Sequence, residues 1–352
     1  MSATRTQPTG DGASLRDVES NAVSRPSEET RSRAASCDPL DAAPLRCLVG
    51  PTASGKTALA LALAERAGAV VLSLDSMLVY RGLDIGTAKP SAAELARVPH
   101  RLIDLVEPTE AYDVQRYLAD ARAALGDLAG GRAMFVGGTG MYLMALVHGL
   151  LNGPPTDAEL RGTLEAEVRE RGGEELHREL AEVDPEAARR IHPNDTKRLV
   201  RALEVYRATG ETLTSWQGQW PAADGGGELA GRPSHIIHLD RPDGELDQRI
   251  AARTDAMLAG GWVEEAVGLR AAPGLGPTSS QALGYREVLD LADGLATEEQ
   301  TRELIVRRTR RFSRRQRTWY RRFPGRCQLT ASGVGEPSEE IIAQGLAALD
   351  WA

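Results

Sequence analysis

Eight residues near position 50 have the types and spacing needed to bind phosphate. Gly50-Pro51-Thr52-Ala53-Ser54-Gly55-Lys56-Thr57 fits the pattern GxxxxGK[ST]. Small residues let backbone N–H groups surround phosphate oxygens at a helix N-terminus, whose partial positive charge favours an anion. Lys56 would add a full charge on the terminal phosphate, and the Thr57 hydroxyl could ligate Mg²⁺. We therefore predict a phosphate-binding loop formed by Gly50, Thr52, Ala53, Ser54, Gly55, Lys56 and Thr57.

Two further residues could act on a molecule bound to this loop. Asp75 follows the apolar run Ala69–Leu74, and its carboxylate could accept a proton from an attacking hydroxyl or amine. Capping of a following helix explains Asp-Ser equally well. Thr139 lies in a glycine turn, Gly137–Gly140, where its hydroxyl could reach a substrate, although turn chemistry is the simpler explanation. No acidic residue ends the strand before this turn, which disfavours a motor protein or GTPase.

A basic segment near the end of the chain could also contact phosphate. Ten arginines lie between Arg307 and Arg326, and no acidic residue interrupts them. The net charge of the chain is −8, so the whole surface cannot be basic and this segment is a local feature. On a helix these arginines cannot share one face. We expect some of them to enter the phosphate cleft and others to face solvent or a polyanion.

The elements that must position these residues follow an alternating pattern. Short apolar runs, typical of buried parallel strands, alternate with helix-forming stretches. This pattern predicts an α/β fold with a mostly parallel sheet flanked by helices, of the P-loop NTPase-like type. Ligands bind at the carboxyl ends of the strands in such sheets, so the three loops should meet in one cleft. The predicted strands are Leu45–Val49, Ala69–Leu74, Ala133–Val136 and His235–Leu239, and the predicted helices are Ala58–Ala67, Ala119–Leu128, Glu245–Ala259 and Thr297–Tyr320.

Composition divides the chain into segments. Residues 1–43 are polar and poor in large apolar side chains, so we predict a disordered extension and expect order to begin at Leu45. Residues 44–153 and 208–330 should form the catalytic core, and two helices after position 240 should complete it. The charged, strand-free residues 154–207 should form an inserted all-helical subdomain. Residues 331–352 look like a weakly patterned tail with one helix near Ile341–Leu349.

Several classes of protein are disfavoured. No apolar run reaches the roughly 18–20 residues that span a bilayer, and the N-terminus lacks the pattern of a signal peptide. We therefore expect a cytoplasmic protein with no membrane partner. Cys37, Cys47 and Cys327 are scattered and form no zinc spacing, so we expect reduced, mostly structural thiols.

Taken together, the motifs resemble the tRNA dimethylallyltransferase family, also called tRNA isopentenyltransferases, in its bacterial form. The similarity runs from about Leu45 to Phe323, in order and at the spacing of the family. The motifs that carry it are Gly50–Thr57, Asp75-Ser76 with Val79–Pro90, Val98–His100 with Leu102–Asp104, Gly137–Gly140, His192–Asp195 with Arg201–Tyr206, Gly284-Tyr285 and Arg314–Arg321.

The resemblance implies a prenyl transfer to RNA. The family moves a dimethylallyl group from dimethylallyl diphosphate to N6 of the adenosine just 3′ of the anticodon, tRNA position 37. The acceptors are tRNAs that read codons beginning with U, Mg²⁺ assists, and pyrophosphate leaves. The phosphate loop, a site for ATP by motif alone, would then grip the leaving group. The helical insertion would hold the anticodon stem-loop by shape and phosphate contact, and we expect a monomer.

The resemblance also assigns roles to residues. Asp75 would take the proton of the adenine amine, Lys56 would stabilise the leaving group, and Thr139 would contact the target adenosine. Among the late arginines, Arg314 and Arg317 are the best candidates for the diphosphate. The tRNA contacts would come from Asp75, Ser76, Met77, Leu78, Thr139, Arg161, Lys197, Arg198 and Arg201.

The sequence departs from the family pattern at two positions. Leu78 stands where the family usually has Gln, and Arg101 stands where a second His often follows the first.

Three alternative functions remain open. An adenylate isopentenyltransferase would use the same donor but a free nucleotide acceptor, and would have little use for a helical insertion. A small-molecule kinase is favoured by the phosphate loop but disfavoured by the Asp75–Pro90 block. A non-catalytic RNA-binding module would leave the loop and Asp75 unexplained.

Overall fold

Six parallel strands carry the loops that were expected to meet. The computed structural model describes residues 38–128, 130–149, 157–217, 231–272, 274–323, 325–333 and 335–352. In that part of the chain the sheet order is β3-β2-β4-β1-β5-β6, and every neighbouring pair is parallel. The strands are β1 (Leu45–Val49), β2 (Val70–Leu74), β3 (His100–Arg101), β4 (Ala133–Gly137), β5 (Ser234–Asp240) and β6 (Cys327–Thr330).

The register of the central strands brings the chemical motifs to one edge. Val49, the last residue of β1, pairs with Gly137 on one side and with His238 on the other. Gly137 also pairs with Leu74, the last residue of β2. The phosphate loop, Asp75 and the glycine turn all begin directly after these aligned residues. The predicted fold class and the convergence of the three loops are therefore confirmed.

Helices cover both faces of the sheet, and most of the predicted ones are present. The first of them starts two residues earlier than predicted, at Lys56, because the phosphate loop itself forms its N-terminus. The core helices are α1 (Lys56–Ala67), α2 (Ala92–Arg97), α3 (Val114–Gly126), α4 (Gly140–His148), α10 (Asp243–Ala259), α11 (Trp262–Ala271), α12 (Tyr285–Ala292), α13 (Glu298–Tyr320) and α14 (Glu339–Ala348).

The expectation that two helices complete the core was wrong, because α11 and α12 lie between them. The ring of Trp262, at the start of α11, fits between two glycines and is 1% exposed. A Cβ atom on Gly86 or on Gly284 would stand 2.1 Å from this ring. The indole therefore packs the Asp75–Pro90 block against the Gly284-Tyr285 motif. These two motifs lie far apart in the sequence, and no local pattern links them.

Five helices surround a separate, smaller core in the predicted insertion. The side chains of Leu164, Leu176, Leu180, Leu199 and Leu203 are buried there. No strand occurs within the described residues 157–217. The limits 154–207 stay a prediction, since residues 150–156 and 218–230 lie outside the described part. The helices are α5 (Ala158–Arg171), α6 (Gly173–Val183), α7 (Pro185–Arg190), α8 (Thr196–Thr209) and α9 (Leu213–Gln217).

The ends of the described chain are more firmly packed than the sequence predicted. Leu40 is fully buried in the main core, so ordered packing begins before Leu45. Residues 1–37 of the predicted extension lie outside the described residues. The C-terminal tail forms α14 and buries Ile342 and Trp351 against the face of the sheet that α1 covers. No helix in the described ranges is long and apolar enough to cross a membrane.

The contact between Gly284 and Trp262 can be tested by adding a methyl group. Gly284 has φ +96° and no room for a Cβ, so Gly284→Ala should lower the free energy of unfolding by about 3 kcal/mol. Gly294 is a matched control, since it has φ +72° but nothing within 4 Å of a Cβ. Gly294→Ala should lower the free energy by only about 1 kcal/mol, measured by urea unfolding. Equal losses would contradict the packing argument.

Candidate active site

The phosphate loop follows β1 and wraps into the first turn of α1. A Cβ on Gly50 would stand 2.2 Å from the carbonyl oxygen of Leu239, so only glycine fits there. Gly55 has φ +100°, a conformation that favours glycine. Lys56 Nζ donates to the carbonyl of Pro51 at 2.7 Å. Burial lowers the pKa of Lys56 to about 7; the charge of Arg253 adds to this shift and that of Asp75 opposes it.

Arginines that the sequence reasoning missed brace this loop. Arg249 Nε donates to the carbonyl of Ala53 at 2.9 Å, and Arg241 Nε donates to that of Ser54 at 3.3 Å. These bonds fix the orientation of both peptide groups. The positive charge of Arg253 contributes to lowering the pKa of Lys56, so Arg253 lies within electrostatic range of the loop. The spacing of Arg249 and Arg253, four residues apart and hence on one face of α10, is a signal that could have identified them.

The glycine turn after β4 lies against the end of β2. The backbone N–H groups of Gly138 and Thr139 both donate to the carbonyl of Leu74 at 3.1 Å. A Cβ on Gly137 would stand 2.1 Å from that same oxygen, which explains the glycine. Thr139 Oγ1 accepts a hydrogen bond from Ser76 N at 3.1 Å. Thr139 is therefore bound directly to the loop that carries Asp75.

Asp75 lies at the sheet edge, as predicted, but does not cap a helix. Its Oδ1 accepts a hydrogen bond from Met77 N at 2.9 Å, and the residues after it form turns. This local bond fixes the carboxylate as in an Asx turn. Burial lowers the pKa of Arg253, and the negative charge of Asp75 opposes that shift. The site thus holds one carboxylate within electrostatic range of two basic side chains, Lys56 and Arg253.

The segment after Asp75 is held in place by buried polar contacts. The carbonyl of Leu78 accepts a hydrogen bond from Asp104 N at 3.1 Å. Lys89 Nζ donates to the carbonyl of Tyr80 at 2.8 Å and pairs with Asp104 and Asp84, while its side chain is only 6% exposed. Ser76, Met77 and Leu78, predicted to read the base, are half-buried beside the cleft.

Glu265 of α11 holds the next part of that segment. Its carboxylate lies opposite a turn of the Asp75–Pro90 block and next to the Gly284-Tyr285 motif. It accepts hydrogen bonds from the backbone N–H groups of Asp84, Ile85 and Gly86 and from the hydroxyl of Tyr285.

In the arginine-rich helix α13, the side chains that reach the loop are not arginines. Gln316 accepts from Thr52 N at 2.8 Å and donates to the carbonyl of Gly138 at 2.9 Å. The Tyr320 hydroxyl shares its proton between the carbonyls of Gly50 and Gly138, at 3.2 and 3.0 Å. Both side chains are buried. Together they bind the phosphate loop to the glycine turn.

Of the two late arginines predicted to hold diphosphate, neither donates to the phosphate loop in the contacts described. Arg317 pairs with Asp240 and Asp243 at the turn between β5 and α10. Arg314 lies on the exposed face of α13. Their diphosphate role stays a prediction. Arg314 lines one shallow, open cavity together with Arg311, Arg315, Thr318, Trp319 and Arg322.

The predicted tRNA contacts of the insertion lie on α5 and α8. Arg161 and Arg201 both pair with Glu204, at 2.7 and 2.9 Å. Lys197 Nζ donates to Gln281 of the core at 2.8 Å, and Arg198, which is largely exposed, pairs with Asp195. Arg161 and Arg201 therefore meet at one carboxylate, and the RNA contacts of all four side chains stay a prediction.

A magnesium ion would need few protein ligands here. No group of three or more His, Cys, Asp or Glu side chains with metal-binding geometry occurs in the described residues. Mg²⁺ commonly keeps several waters and binds through one or two side chains plus substrate phosphates. The exposed hydroxyl of Thr57, in the first turn of α1, fits that requirement.

The hydrogen bonds of Gln316 give a test of the loop geometry. In Gln316→Glu the carboxylate can accept from Thr52 N but cannot donate to Gly138, and it adds a negative charge beside the anion site. Affinity for pyrophosphate, measured by calorimetry, should fall about tenfold or more. Gln344→Glu, on the exposed face of α14, is the control and should leave affinity unchanged. Unchanged affinity in Gln316→Glu would contradict this role.

Comparison with known proteins agrees with this geometry. The model of the IPP transferase family matches residues 78–323, and that of the isopentenyl transferase family matches residues 43–105. A tRNA dimethylallyltransferase from Alkalilimnicola ehrlichii is 47% identical over 286 residues, which cover 80% of this chain and 89% of the relative. One from Stenotrophomonas maltophilia is 43% identical over 292 residues, covering 80% and 91%.

Solved structures show the same architecture. The tRNA isopentenylpyrophosphate transferase from Bacillus halodurans is 35% identical, with a TM-score of 0.61 over 87% of this chain and 97% of that one. A eukaryotic dimethylallyltransferase acting on tRNA shares the fold with a TM-score of 0.71 at 24% identity, over 86% and 78% of the chains. The chain therefore belongs to the tRNA dimethylallyltransferase family, whose family model is that of the IPP transferases.

Proposed function

We propose that this protein transfers a dimethylallyl group from dimethylallyl diphosphate to N6 of adenosine 37 of tRNA and releases pyrophosphate. The acceptors would be tRNAs that read codons beginning with U. The observation that carries the proposal is the meeting of the phosphate loop with the Asp75 loop at one sheet edge. It occurs in a chain 47% identical to a tRNA dimethylallyltransferase.

The phosphate loop suits a leaving group. When the bond between C1 of the dimethylallyl group and its oxygen breaks, the electron pair goes to pyrophosphate and negative charge builds there. Loop N–H groups, Lys56 and the nearby Arg253 supply positive charge where this develops. Arg249 and Arg241 donate to the carbonyls of Ala53 and Ser54, and these bonds keep the loop from reorganising as the charge forms.

Asp75 suits the acceptor side of the reaction. N6 of adenine forms the new bond to C1 and must lose a proton, because the amine is a weak nucleophile. The Asp75 carboxylate, fixed by Met77 N, would accept that proton. Thr139, which holds Ser76, would orient the base. Asp75 and Thr139 would therefore act on the acceptor base, and the phosphate loop would act on the leaving group.

Magnesium would assist at the diphosphate. Thr57 would be its protein ligand, and the remaining ligands would be water and phosphate oxygens. When bound, the ion would neutralise charge on the departing pyrophosphate. Lys56 and Arg253 would neutralise part of the same charge, so the ion would share this role with the protein.

The protein would contact the tRNA at two places: at the target base beside the reacting atoms, and along the RNA backbone farther away. The target base must leave its stack to enter the cleft, at a cost of a few kcal/mol that is lower in a loop. We assign base recognition to the segment Asp75–Leu78 and backbone contact to the insertion. Leu78 cannot make the side-chain hydrogen bonds of the usual Gln, so recognition there should rest on packing. Backbone contacts would come from Arg161, Lys197, Arg198 and Arg201.

A tRNA substrate also bears on the cellular location and the oligomeric state of the enzyme. We propose that it acts in the cytoplasm, where unmodified tRNA is available, and as a monomer. A helical insertion with basic side chains, Lys197 and Arg198 among them, would have little use in an enzyme acting on free AMP.

A labelled donor distinguishes the candidate activities. Purified protein is incubated with labelled dimethylallyl diphosphate, Mg²⁺ and either unmodified tRNA, AMP, or ATP with small-molecule acceptors. Label should enter tRNA at adenosine 37 and should enter neither AMP nor the other acceptors. Label in AMP alone would overturn the proposal in favour of an adenylate isopentenyltransferase. Phosphoryl transfer from ATP would indicate a kinase.

Replacing Asp75 tests its chemical role. Asp75→Asn keeps shape but loses the base, so the single-turnover rate should fall by about 10²–10⁴-fold while tRNA affinity stays nearly unchanged. Asp113→Asn is a matched control, because Asp113 also accepts a backbone N–H two residues on, that of Gln115 at 2.9 Å. The control should keep full activity. Equal losses of rate and tRNA affinity in Asp75→Asn would make the residue structural.

A further inference from the structure

A buried tyrosine lies beside the loops of the candidate active site. Tyr142 is in the first turn of α4, is 5% exposed, and donates its backbone N–H to the carbonyl of Thr139 at 3.1 Å. Its ring stacks on that of Tyr117 of α3, with the ring centroids 4.0 Å apart and the planes 15° apart. The hydroxyl of Tyr117 donates to the carbonyl of Ser73 in β2 at 3.0 Å. The ring of Tyr142 is therefore held, through Tyr117, against the strand that precedes Asp75.

The hydroxyl of Tyr142 differs from those of the other buried tyrosines. Within the described residues it forms no hydrogen bond with the protein. A buried hydroxyl usually has a partner, because leaving it unpaired is costly. The other buried tyrosines all donate their hydroxyl proton to a protein oxygen, and they are Tyr80, Tyr112, Tyr117, Tyr285 and Tyr320.

This unpaired oxygen is not sealed inside the core. Ser73 Oγ is also without a partner and is fully enclosed, whereas the Tyr142 oxygen is not among the enclosed polar atoms of the described chain. A partner for Tyr142 can therefore come from outside the protein.

The surroundings of the hydroxyl suit a neutral ligand with an acceptor atom. Burial raises the pKa of Tyr142. Charge on Tyr80, Asp75 and Asp113 raises it further. The hydroxyl therefore keeps its proton at neutral pH and can donate it to an acceptor. The negative charges of Asp75 and Asp113 disfavour a diphosphate at this point, but they do not disfavour an uncharged base.

Adenine carries acceptor atoms in a suitable place. Its N6 amine is flanked by the ring nitrogens N1 and N7, and both accept hydrogen bonds. We propose that the Tyr142 hydroxyl donates a hydrogen bond to one of these two nitrogens in the adenine that receives the dimethylallyl group. The inference rests on the proposed function, because it assumes that adenine enters the site beside Asp75. The bond orients the base so that N6 meets the Asp75 carboxylate.

Tyr142→Phe removes the hydroxyl and keeps the ring that stacks on Tyr117. The kcat/KM for tRNA should fall about five- to tenfold, as for the loss of one neutral hydrogen bond to a ligand. The KM for dimethylallyl diphosphate should stay unchanged. The urea midpoint of unfolding should stay the same or rise, because the lost group has no partner in the protein. Normal transfer to tRNA, or a loss confined to the KM of the donor, would overturn the proposal.

Tyr112→Phe is the matched control. Tyr112 is also buried, but its hydroxyl donates to Asp120 Oδ2 at 2.7 Å. Loss of that bond should lower the urea midpoint and leave the kcat/KM for tRNA unchanged, the reverse of the result expected for Tyr142→Phe. If both variants lose the same stability and the same activity, the Tyr142 hydroxyl acts only through the fold and the proposal is wrong.

Altered acceptor bases test the contact itself. Transfer rates are compared under single-turnover conditions, below saturation, for tRNAs that carry adenosine, 1-deazaadenosine or 7-deazaadenosine at position 37. Each analogue replaces one ring nitrogen by C–H and keeps N6. With adenosine, Tyr142→Phe should be about five- to tenfold slower than the unchanged protein. With the analogue that lacks the contacted nitrogen, the two proteins should react at the same rate. The same rate ratio with all three tRNAs would overturn the proposal.

The unchanged protein separates failure of this inference from failure of the proposed function. If it labels adenosine 37 and Tyr142→Phe does so at the same rate, only the Tyr142 contact is wrong. If it does not label tRNA, the proposed function itself fails and the contact fails with it.

Discussion

The hydrogen bonds that join the phosphate loop to the glycine turn are the contact on which the rest of the site depends. Gln316 and Tyr320 reach from α13 to backbone groups of both loops, and both side chains are buried. A Cβ on Gly138 would stand 2.2 Å from Gln316 Nε2, so a side chain there would displace this amide from its hydrogen bonds. These contacts fix the glycine turn so that Thr139 Oγ1 accepts a hydrogen bond from Ser76 N. This bond holds the loop that carries Asp75. One helix therefore sets the distance between the anion site and the carboxylate.

The same helix explains why an arginine-rich segment need not be a phosphate site throughout. Its buried face carries Gln316 and Tyr320, its flank uses Arg317 to hold the turn after β5, and its exposed face carries Arg314. Charge near the phosphate loop comes instead from α10, whose Arg249 braces the loop and whose Arg253 lies within electrostatic range of Lys56. A high density of one residue type indicates a basic region, but the packing of the helix assigns each member a separate task.

Much of the fold could be predicted because the strands that matter are short, apolar and bounded by polar or glycine-rich loops. The strands β1, β2, β4 and β5 lie within a residue or two of the predicted positions. The strand β3 has only two residues, and β6 follows a basic segment, so neither carries a clear pattern. The helix α11 was missed although it is central, because Trp262 packs against Gly86 and Gly284, which lie outside its own segment.

The sequence by itself determined the phosphate loop, the position of Asp75 at a strand end and the glycine turn, since each depends on residues adjacent in the chain. It also indicated that strand ends would gather these loops at one edge. Only the tertiary structure decided which side chains complete the site. Gln316 and Thr52 are 264 residues apart, and the two arginines of the insertion meet at Glu204 across two helices. Such contacts arise when helices pack, and their partners cannot be identified from spacing along one segment.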